Sequence, residues 1–430
     1  MSTTFVYMLE EQVQAAYERF RTSQNNFLPA IACGFDDGDV FHVYTSVPRV
    51  HIAGYPCHSA IQFLVKMPDA EESLAIVTTL GETMFGNNPK PVVIVLLAAE
   101  EKRLEHRVFI RISGQFREGS LKFIPEQSEL YSRSKGLLET SILANCRVGV
   151  VGLGSGGSTV ALELAKAGVG NFVLIDFDRM ELANISRHIC GIGDLGRYKT
   201  KAVRDLLYAR NPYIKVKTAE INININLEET NSLLKDCDLI IAATDNDRSR
   251  FNLNQIALQY KITTIFGRAI TRAVGGDVLR VRPYQGPCLA CIFTNDFLKS
   301  HSDEISQFRQ ARSQNPAYVS DEEVKVTIQV GLSCDILPIS NMIVKLALVE
   351  LSGDCKVSGL VSLAEDLVAD FYIWANRREL SYANYLKMGY GSKTPSILRW
   401  YGAKYERDLS CFVCGDQPQS FLSEDNIFAG

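Results

Sequence analysis

An apolar run, Arg147 to Leu153 (RVGVVGL), leads directly into Gly152-Leu-Gly154-Ser-Gly-Gly157 and then into Ser158 to Ala167, a stretch of small and apolar helix formers. Few folds accommodate a strand, a glycine-rich turn and a helix in immediate succession. Glycines allow a tight turn and close backbone approach to a ligand, and the helix start presents free N–H groups with a partial positive charge. Downstream, short apolar runs keep alternating with helical stretches. NFVLID (Asn171 to Asp176), DLIIAA (Asp238 to Ala243) and TTIFG (Thr263 to Gly267) read as strands, and Thr200 to Arg210 as an amphipathic helix. Strands separated by helices predict a Rossmann-like, doubly wound and mostly parallel sheet. DVLRVR (Asp277 to Arg282) reads as antiparallel and peripheral, and Ser333 to Leu351 as an apolar helix.

Asp176 closes the second strand about 20 residues beyond the glycine loop, where a carboxylate can accept a hydrogen bond from a ribose hydroxyl. A bound nucleotide follows, but the loop and the acid do not choose between NAD and ATP, so a dehydrogenase remains open at this point.

The other function classes narrow quickly. The chain has 430 residues, 46% of them hydrophobic, and a net charge of -4. A nucleic-acid-binding surface would show a basic excess. No apolar run approaches the roughly 20 residues of a membrane-spanning helix. The N-terminus, MSTTFVYMLEEQ, carries acids and lacks the regions of a signal peptide. A cytoplasmic protein is expected. An odd count of 11 cysteines argues against a disulfide framework. Four of them form two C-x-x-C pairs, Cys288/Cys291 and Cys411/Cys414, which together can build a closed tetrahedral site for a structural zinc. Two domains are expected: an N-terminal α+β domain over 1–125, with helices at Glu11 to Arg21 and Ala70 to Met84, and the nucleotide domain over 126–430. The polar segment Gln127 to Asn145 reads as helical and Asn295 to Glu323 as a long connection, either a functional loop or a mobile stretch.

Beyond Asp176 the motifs become specific. DFDRMELANISRH (Asp176 to His188) is followed by Gly196-Arg-Tyr-Lys199 and NPYIKV (Asn211 to Val216). Thr244-Asp245-Asn246 then precedes Arg250, Leu253 and Asn254, and Tyr131-Ser-Arg133 stands upstream. In this order, with the two cysteine knuckles, the segment from about 130 to 430 resembles the ubiquitin-activating (ThiF/MoeB-type) adenylating superfamily. The resemblance implies ATP-dependent activation of the C-terminal glycine carboxylate of a ubiquitin-like protein. Gly152, Gly154 and Gly157 would cradle the phosphates, with Asp176 and Asp178 at the ribose or metal. Asn184 would orient the triphosphate, and Arg187 and Lys199 would neutralise it. Asp245 would hold Mg²⁺, and Arg133 would reach the partner's γ-phosphate across a homodimer interface to which Met342 to Leu351 contributes. His188 stands where the family has Gln and is read as structural. Arg268 and Arg272 are read as surface charges.

Many members pass the adenylate to their own cysteine and then to a conjugating enzyme, as in bacterial ubiquitin-like conjugation. Here the loop after the first knuckle holds no cysteine. Cys334, in a turn suggested by Gly331 and Pro338, is the candidate acceptor, with Cys190 behind it. Adenylation alone, of a peptide or a sulfur-carrier protein, is the alternative. The N-terminal domain faintly resembles a JAB/MPN-type isopeptidase without its His-x-His ligands; His42, His51 and His58 are not spaced as a triplet.

Overall fold

The computed structural model describes residues 4–22, 27–34, 40–44, 57–64, 70–86, 92–100, 103–124, 130–134, 136–270, 273–293, 331–353, 358–367, 369–376 and 397–416. The chain forms two compact units, Met1–Ser132 and Arg133–Gly430.

The first unit is a closed barrel in the order β1-β3-β2-β4-β5-β6-β7. Its strands are β1 (Phe5–Leu9), β2 (Phe27–Gly34), β3 (Val40–Tyr44), β4 (Cys57–Leu64), β5 (Val92–Glu100), β6 (Arg103–Ile112) and β7 (Gln115–Ile124). Closure comes from β1, which pairs with both β3 and β7. The period-2 alternation of β5 separates two cores. Val93, Val95 and Leu97 join Val13 and Ala16 of helix α1 (Glu10–Thr22). Val92, Ile94 and Leu96 join Val77 of helix α2 (Ala70–Phe85). Both expected helices are present, and the apolar runs Phe41 to Thr45, Pro91 to Ala98 and Arg107 to Ser113, which read as strands, fall on β3, β5 and β6, whereas β1, β2, β4 and β7 were not expected. β7 shows why: its residues are exposed or half-buried throughout, so it lacks an apolar signature and is held by its pairing with β6 and β1. His42 lies on β3 and His58 on β4, while His51 falls outside the described residues.

The second unit is an α/β sandwich on an 8-stranded sheet in the order β10-β9-β8-β11-β12-β13-β14-β15. The strands are β8 (Arg147–Val151), β9 (Asn171–Ile175), β10 (Lys215–Ala219), β11 (Leu239–Ala242), β12 (Thr263–Ala269), β13 (Gly275–Val281), β14 (Phe371–Ala375) and β15 (Arg399–Ala403). From β10 to β12 all neighbours are parallel; the remaining pairs are antiparallel. β13 is antiparallel as expected but not peripheral. It lies between β12 and β14 with every residue buried, because two further strands arrive from the C-terminal third of the chain.

Helix α3 (Thr140–Leu143) precedes β8. It lies in the segment read as helical up to Asn145, where a 3₁₀ turn, Ser132–Ser134, precedes it. Helices α4 (Ser155–Ala167), α5 (Lys199–Arg210), α9 (Ser333–Leu351) and α10 (Leu360–Asp366) bury Leu164, Val203, Leu346 and Leu360 in the core on one face of the sheet. Helices α6 (Leu227–Leu234), α7 (Asp247–Tyr260) and α8 (Leu289–Ile292) cover the other, with Leu234, Phe251 and Leu289. β11 serves both, sending Leu239 and Ile241 to one core and Ile240 and Ala242 to the other. A buried parallel strand therefore reads as a continuous apolar run.

Candidate nucleotide site and cysteine cluster

β8 and β11 are neighbours in the sheet but not in the chain, with β9 and β10 on one side and β12 on the other. The loops leaving their C-terminal ends, at Gly152 and at Thr244–Asp245, flank this reversal of strand order. In open α/β sheets that crevice is where ligands bind.

The glycine loop is built by backbone contacts that side chains would forbid. Gly152 has φ +86° and approaches β11 so closely that a Cβ would lie 2.6 Å from the Ala243 carbonyl oxygen. At Gly157 a Cβ would lie 1.9 Å from the Gly152 carbonyl oxygen. Gly154 is the N-cap of α4 and supplies no side-chain cap, so the first-turn N–H groups face the crevice without a side-chain acceptor.

Asp176 ends β9 and holds this loop. Its Oδ2 accepts from the Leu153 N–H at 2.6 Å and its Oδ1 from the Asp178 N–H at 2.8 Å. Burial raises its pKa, opposed by nearby Lys199 and by these two bonds. Buried Lys199 opens α5 and donates to Asp178 Oδ2 at 2.7 Å. Asn184 lies in a short 3₁₀ turn, where its Oδ1 accepts from the Glu181 N–H at 3.0 Å. Arg187 follows that turn. Burial lowers its pKa, and among the described residues its buried Nη1 has no hydrogen-bond partner. On the β11 side, the Thr244 hydroxyl is likewise buried without a partner, and Asp245 is exposed. The structure thus brings Gly152, Gly154, Gly157, Asp176, Asp178, Lys199 and Asp245 to the C-terminal edge of the sheet. Arg187 is tied there through His188, which bonds to Leu153.

Arg133 is exposed in a 3₁₀ turn, Ser132–Ser134, ahead of the sheet. Cys334 is also exposed, but not in a turn: α9 begins at Ser333 and contains Pro338. Pro338 lies inside the helix, past its first turn, where its missing N–H leaves the Cys334 carbonyl without an intrahelical donor. Cys190 is buried, and burial pushes its thiol up to about 12, which leaves it unsuited to accept an acyl group. The face of α9 carrying Ile343, Leu346 and Val349 is spent on the core of its own chain. Arg268 is not a surface charge. It forms a bidentate pair with buried Asp277, 2.6 Å at its shortest, and its guanidinium stands 3.7 Å from the Phe293 ring centroid. Arg272 and the stretch 295–323 lie outside the described residues.

The cysteines of the two knuckles meet. Their sulfurs all lie within 4.8 Å of one another, with Cys288–Cys411 at 3.8 Å, Cys288–Cys291 at 3.8 Å and Cys291–Cys414 at 3.4 Å. A tetrahedral zinc with Zn–S of about 2.3 Å separates its sulfurs by about 3.8 Å, and a disulfide requires about 2.05 Å. The donor set therefore fits zinc and not a disulfide. Two side chains hold the knuckles: Asn254 of α7, part of the sequence motif but with no role read for it there, accepts from the Leu289 N–H at 3.0 Å, and Arg407, found only in the structure, donates to the Cys414 carbonyl at 2.6 Å.

Residues 130–362 match the model of the ThiF family. The chain belongs to the ThiF family. It is 39% identical over 119 residues to the "Probable adenylyltransferase/sulfurtransferase MoeZ" of Mycobacterium tuberculosis, covering 27% of this chain and 29% of that protein. It is 35% identical over 153 residues to the "Molybdopterin-synthase adenylyltransferase" of Escherichia coli, covering 35% and 59%. It is 29% identical over 199 residues to the "Ubiquitin-like modifier-activating enzyme 5" of Caenorhabditis briggsae, covering 42% and 46%. The chain thus spans between 29% and 59% of the length of these relatives. Among solved structures, Escherichia coli MccB with ATP aligns over 64% of this chain and 68% of its own, with 17% identity and a TM-score of 0.44. Membership rests on the ThiF segment, which holds the glycine loop, Asp176, Arg187, Lys199, Asp245 and the first cysteine knuckle.

Proposed function

We propose that this chain adenylates the C-terminal glycine carboxylate of a ubiquitin-like protein. The reading rests chiefly on the buried, partnerless Nη1 of Arg187 beside a glycine loop at the sheet's strand-order reversal. A buried guanidinium N–H without an acceptor is costly, and a triphosphate would supply one. Names of relatives that include "adenylyltransferase" support the same reading.

In the reaction a carboxylate oxygen bonds to the α-phosphorus, the bond from that phosphorus to the bridging oxygen breaks, and pyrophosphate leaves with the electron pair. The N–H groups opening α4, Arg187 and Lys199 would neutralise the phosphate oxygens as charge shifts between them. Lys199 would exchange part of its bond to half-exposed Asp178 for phosphate. Asp176 has lone pairs beyond the two that hold the loop and would orient the ribose. Asn184 would orient the triphosphate. Asp245 would hold Mg²⁺, which commonly combines one or two carboxylates with substrate phosphates and bridging water; bound there, it would supply charge neutralisation. The four cysteines would hold zinc as a closed, structural site that anchors 411–414 to the sheet domain.

Three finer elements belong to the same reading. Arg133, exposed before the sheet, would complete the site of a second copy in a homodimer. The Cys334 sulfur, exposed at the start of α9, would attack the adenylate's acyl carbon, the bond from that carbon to the phosphate oxygen would break with AMP leaving, and the resulting thioester would pass to a conjugating enzyme's thiol. The N-terminal unit would be an inactive, JAB-like partner-binding domain. Activation of a sulfur carrier without a thioester is the second reading, favoured by relatives whose names include sulfurtransferase.

The test is ATP–pyrophosphate exchange with candidate small proteins ending in Gly-Gly. Exchange should require the partner's terminal glycine, and Asp245→Ala should lower it by about 100-fold or more. Exchange that is indifferent to the partner, or undiminished in Asp245→Ala, overturns the reading. A Cys334→Ser chain that exchanges normally but forms no thiol-labile adduct assigns the acceptor; an unchanged adduct removes Cys334.

A further inference from the structure

The run Ile221-Asn-Ile-Asn224-Ile-Asn226 follows β10, and its central asparagine reaches across the crevice edge to the start of α7. There the hydrogen bonds form a chain whose polarity is fixed at one end. The Ser249 backbone N–H can only donate, and it points at the Asn246 side chain at 2.8 Å. The atom of Asn246 facing it is therefore Oδ1, the N-cap acceptor of α7. The other Asn246 atom is then Nδ2, aimed at Asp245 Oδ1 at 3.5 Å. Asn246 Oδ1 also receives Asn224 Nδ2 at 3.2 Å. The oxygen of Asn224 in turn accepts from Asn252 Nδ2 at 3.0 Å and from the Ser249 hydroxyl at 3.2 Å. Asn222 orients the start of this chain, its Oδ1 accepting from the Asn224 N–H at 3.0 Å.

We infer that Asn224 is a positioning residue for the Asp245 carboxylate, acting through Asn246. Asp245 is exposed on the loop between β11 and α7. The amide of Asn224 locks Asn246 against rotation, so that its NH₂ group stays directed at one Asp245 carboxylate oxygen and fixes how that carboxylate is oriented. Hydrogen-bond partners behind a metal-ligating carboxylate commonly alter metal affinity by about 10-fold to 100-fold. The inference rests on the proposed metal role of Asp245 and adds the residue that orients it.

The experiment measures ATP affinity of the full chain by calorimetry, once with excess Mg²⁺ and once with EDTA. The ratio of the two affinities reads the metal's contribution, and a merely structural role for Asn224 would not move it. Asn224→Ala should reduce the ratio about 5-fold to 10-fold with the EDTA affinity unchanged. Asn246→Ser keeps an N-cap acceptor but lacks the NH₂ group, and should have a similar effect. The double variant Asn224→Ala/Asn246→Ser should be no worse than Asn246→Ser alone, because both lesions break one chain. Asp245→Ala, the control, should collapse the ratio toward one. If Asp245→Ala keeps the wild-type ratio, the metal assignment falls and the inference with it. If Asp245→Ala collapses it but Asn224→Ala leaves it unchanged, or the two lesions multiply, only the positioning role of Asn224 falls.

Discussion

His188 donates from Nε2 to the Leu153 carbonyl at 2.7 Å, stitching the Arg187 segment to the glycine loop. The tautomer follows from its second bond: the Cys190 N–H donates to Nδ1 at 3.1 Å, so the proton sits on Nε2. Gln, the residue the family usually has here, also offers one donor and one acceptor. His188→Gln should therefore bind ATP nearly as well as wild type, and His188→Ala about 5-fold more weakly, the worth of about one hydrogen bond. Calorimetric titration with ATP checks this; equal affinities for wild type and His188→Ala would remove the stitch from the site.

The same residue gives the fold a pH dependence. Burial lowers the His188 pKa below its ordinary 6.5. The unfolded chain then binds the proton more readily than the folded one, so this contribution to stability is complete above pH 6.5 and is lost as pH falls from 6.5 toward the lowered folded value. Thermal midpoints measured from pH 7.5 down to 5 should fall more steeply for wild type than for His188→Gln. Comparison with that variant cancels the contributions of His42 and His106, whose pKa values burial also lowers.

On the proposed reading, Arg187 would trade stability for binding. Its buried, partnerless Nη1 should make the ligand-free fold less stable than a chain carrying an apolar side chain there. Arg187→Met should raise the thermal midpoint without ATP and lower ATP affinity by about 10-fold to 100-fold, the usual worth of a charged hydrogen bond. A lower midpoint together with unchanged affinity would show that Arg187 supports the fold and not the ligand.

Gly157 tolerates no side chain. With a Cβ 1.9 Å from the Gly152 carbonyl oxygen, Gly157→Ala must displace the loop or the helix. The expected cost is ~1–3 kcal/mol of stability along with most ATP binding. Gly154→Ala, which meets nothing within 4 Å, is the matched control and should stay folded.

Elemental analysis should find about one zinc per chain. A Cys411→Ser/Cys414→Ser double variant should lose that zinc and melt at lower temperature, as should the wild type after chelation. A metal-free wild type whose melting is indifferent to added zinc would leave the four thiols as ordinary core residues.

Arg133 is tested by mixing. Arg133→Ala and Lys199→Ala chains should each be nearly inactive in pyrophosphate exchange, while co-refolded heterodimers should hold one site with neither lesion and recover part of the activity. No recovery in heterodimers verified by light scattering would exclude action across an interface.

The order of strand, glycine loop and helix, the position of Asp176 and the two cysteine pairs were all legible in the chain. They depend on short-range chemistry: backbone conformations open to glycine, apolar runs long enough for buried strands, and thiol pairs at ligand spacing. The parallel strands β8, β9, β11 and β12 were legible for the same reason, since strands buried on both faces leave continuous apolar runs such as Leu239–Ala242; β10, a partly exposed edge strand with a mixed sequence, was not.

Tertiary structure decided the rest, because it brings together residues that no local pattern relates. β13 became an interior strand only when Phe371–Ala375 arrived beside it. The barrel closes through β7, whose polar sequence is held by pairing with its neighbours. Arg268 looks like any surface arginine until the antiparallel β12–β13 register sets it opposite Asp277. Asn224 has no signature beyond a run of alternating asparagines until the fold sets the connection from β10 to α6 against the start of α7 and places its amide on Asn246. Hydrogen bonds and ion pairs form between groups within about 3 Å in space, and only the folded chain sets those distances for residues far apart in sequence.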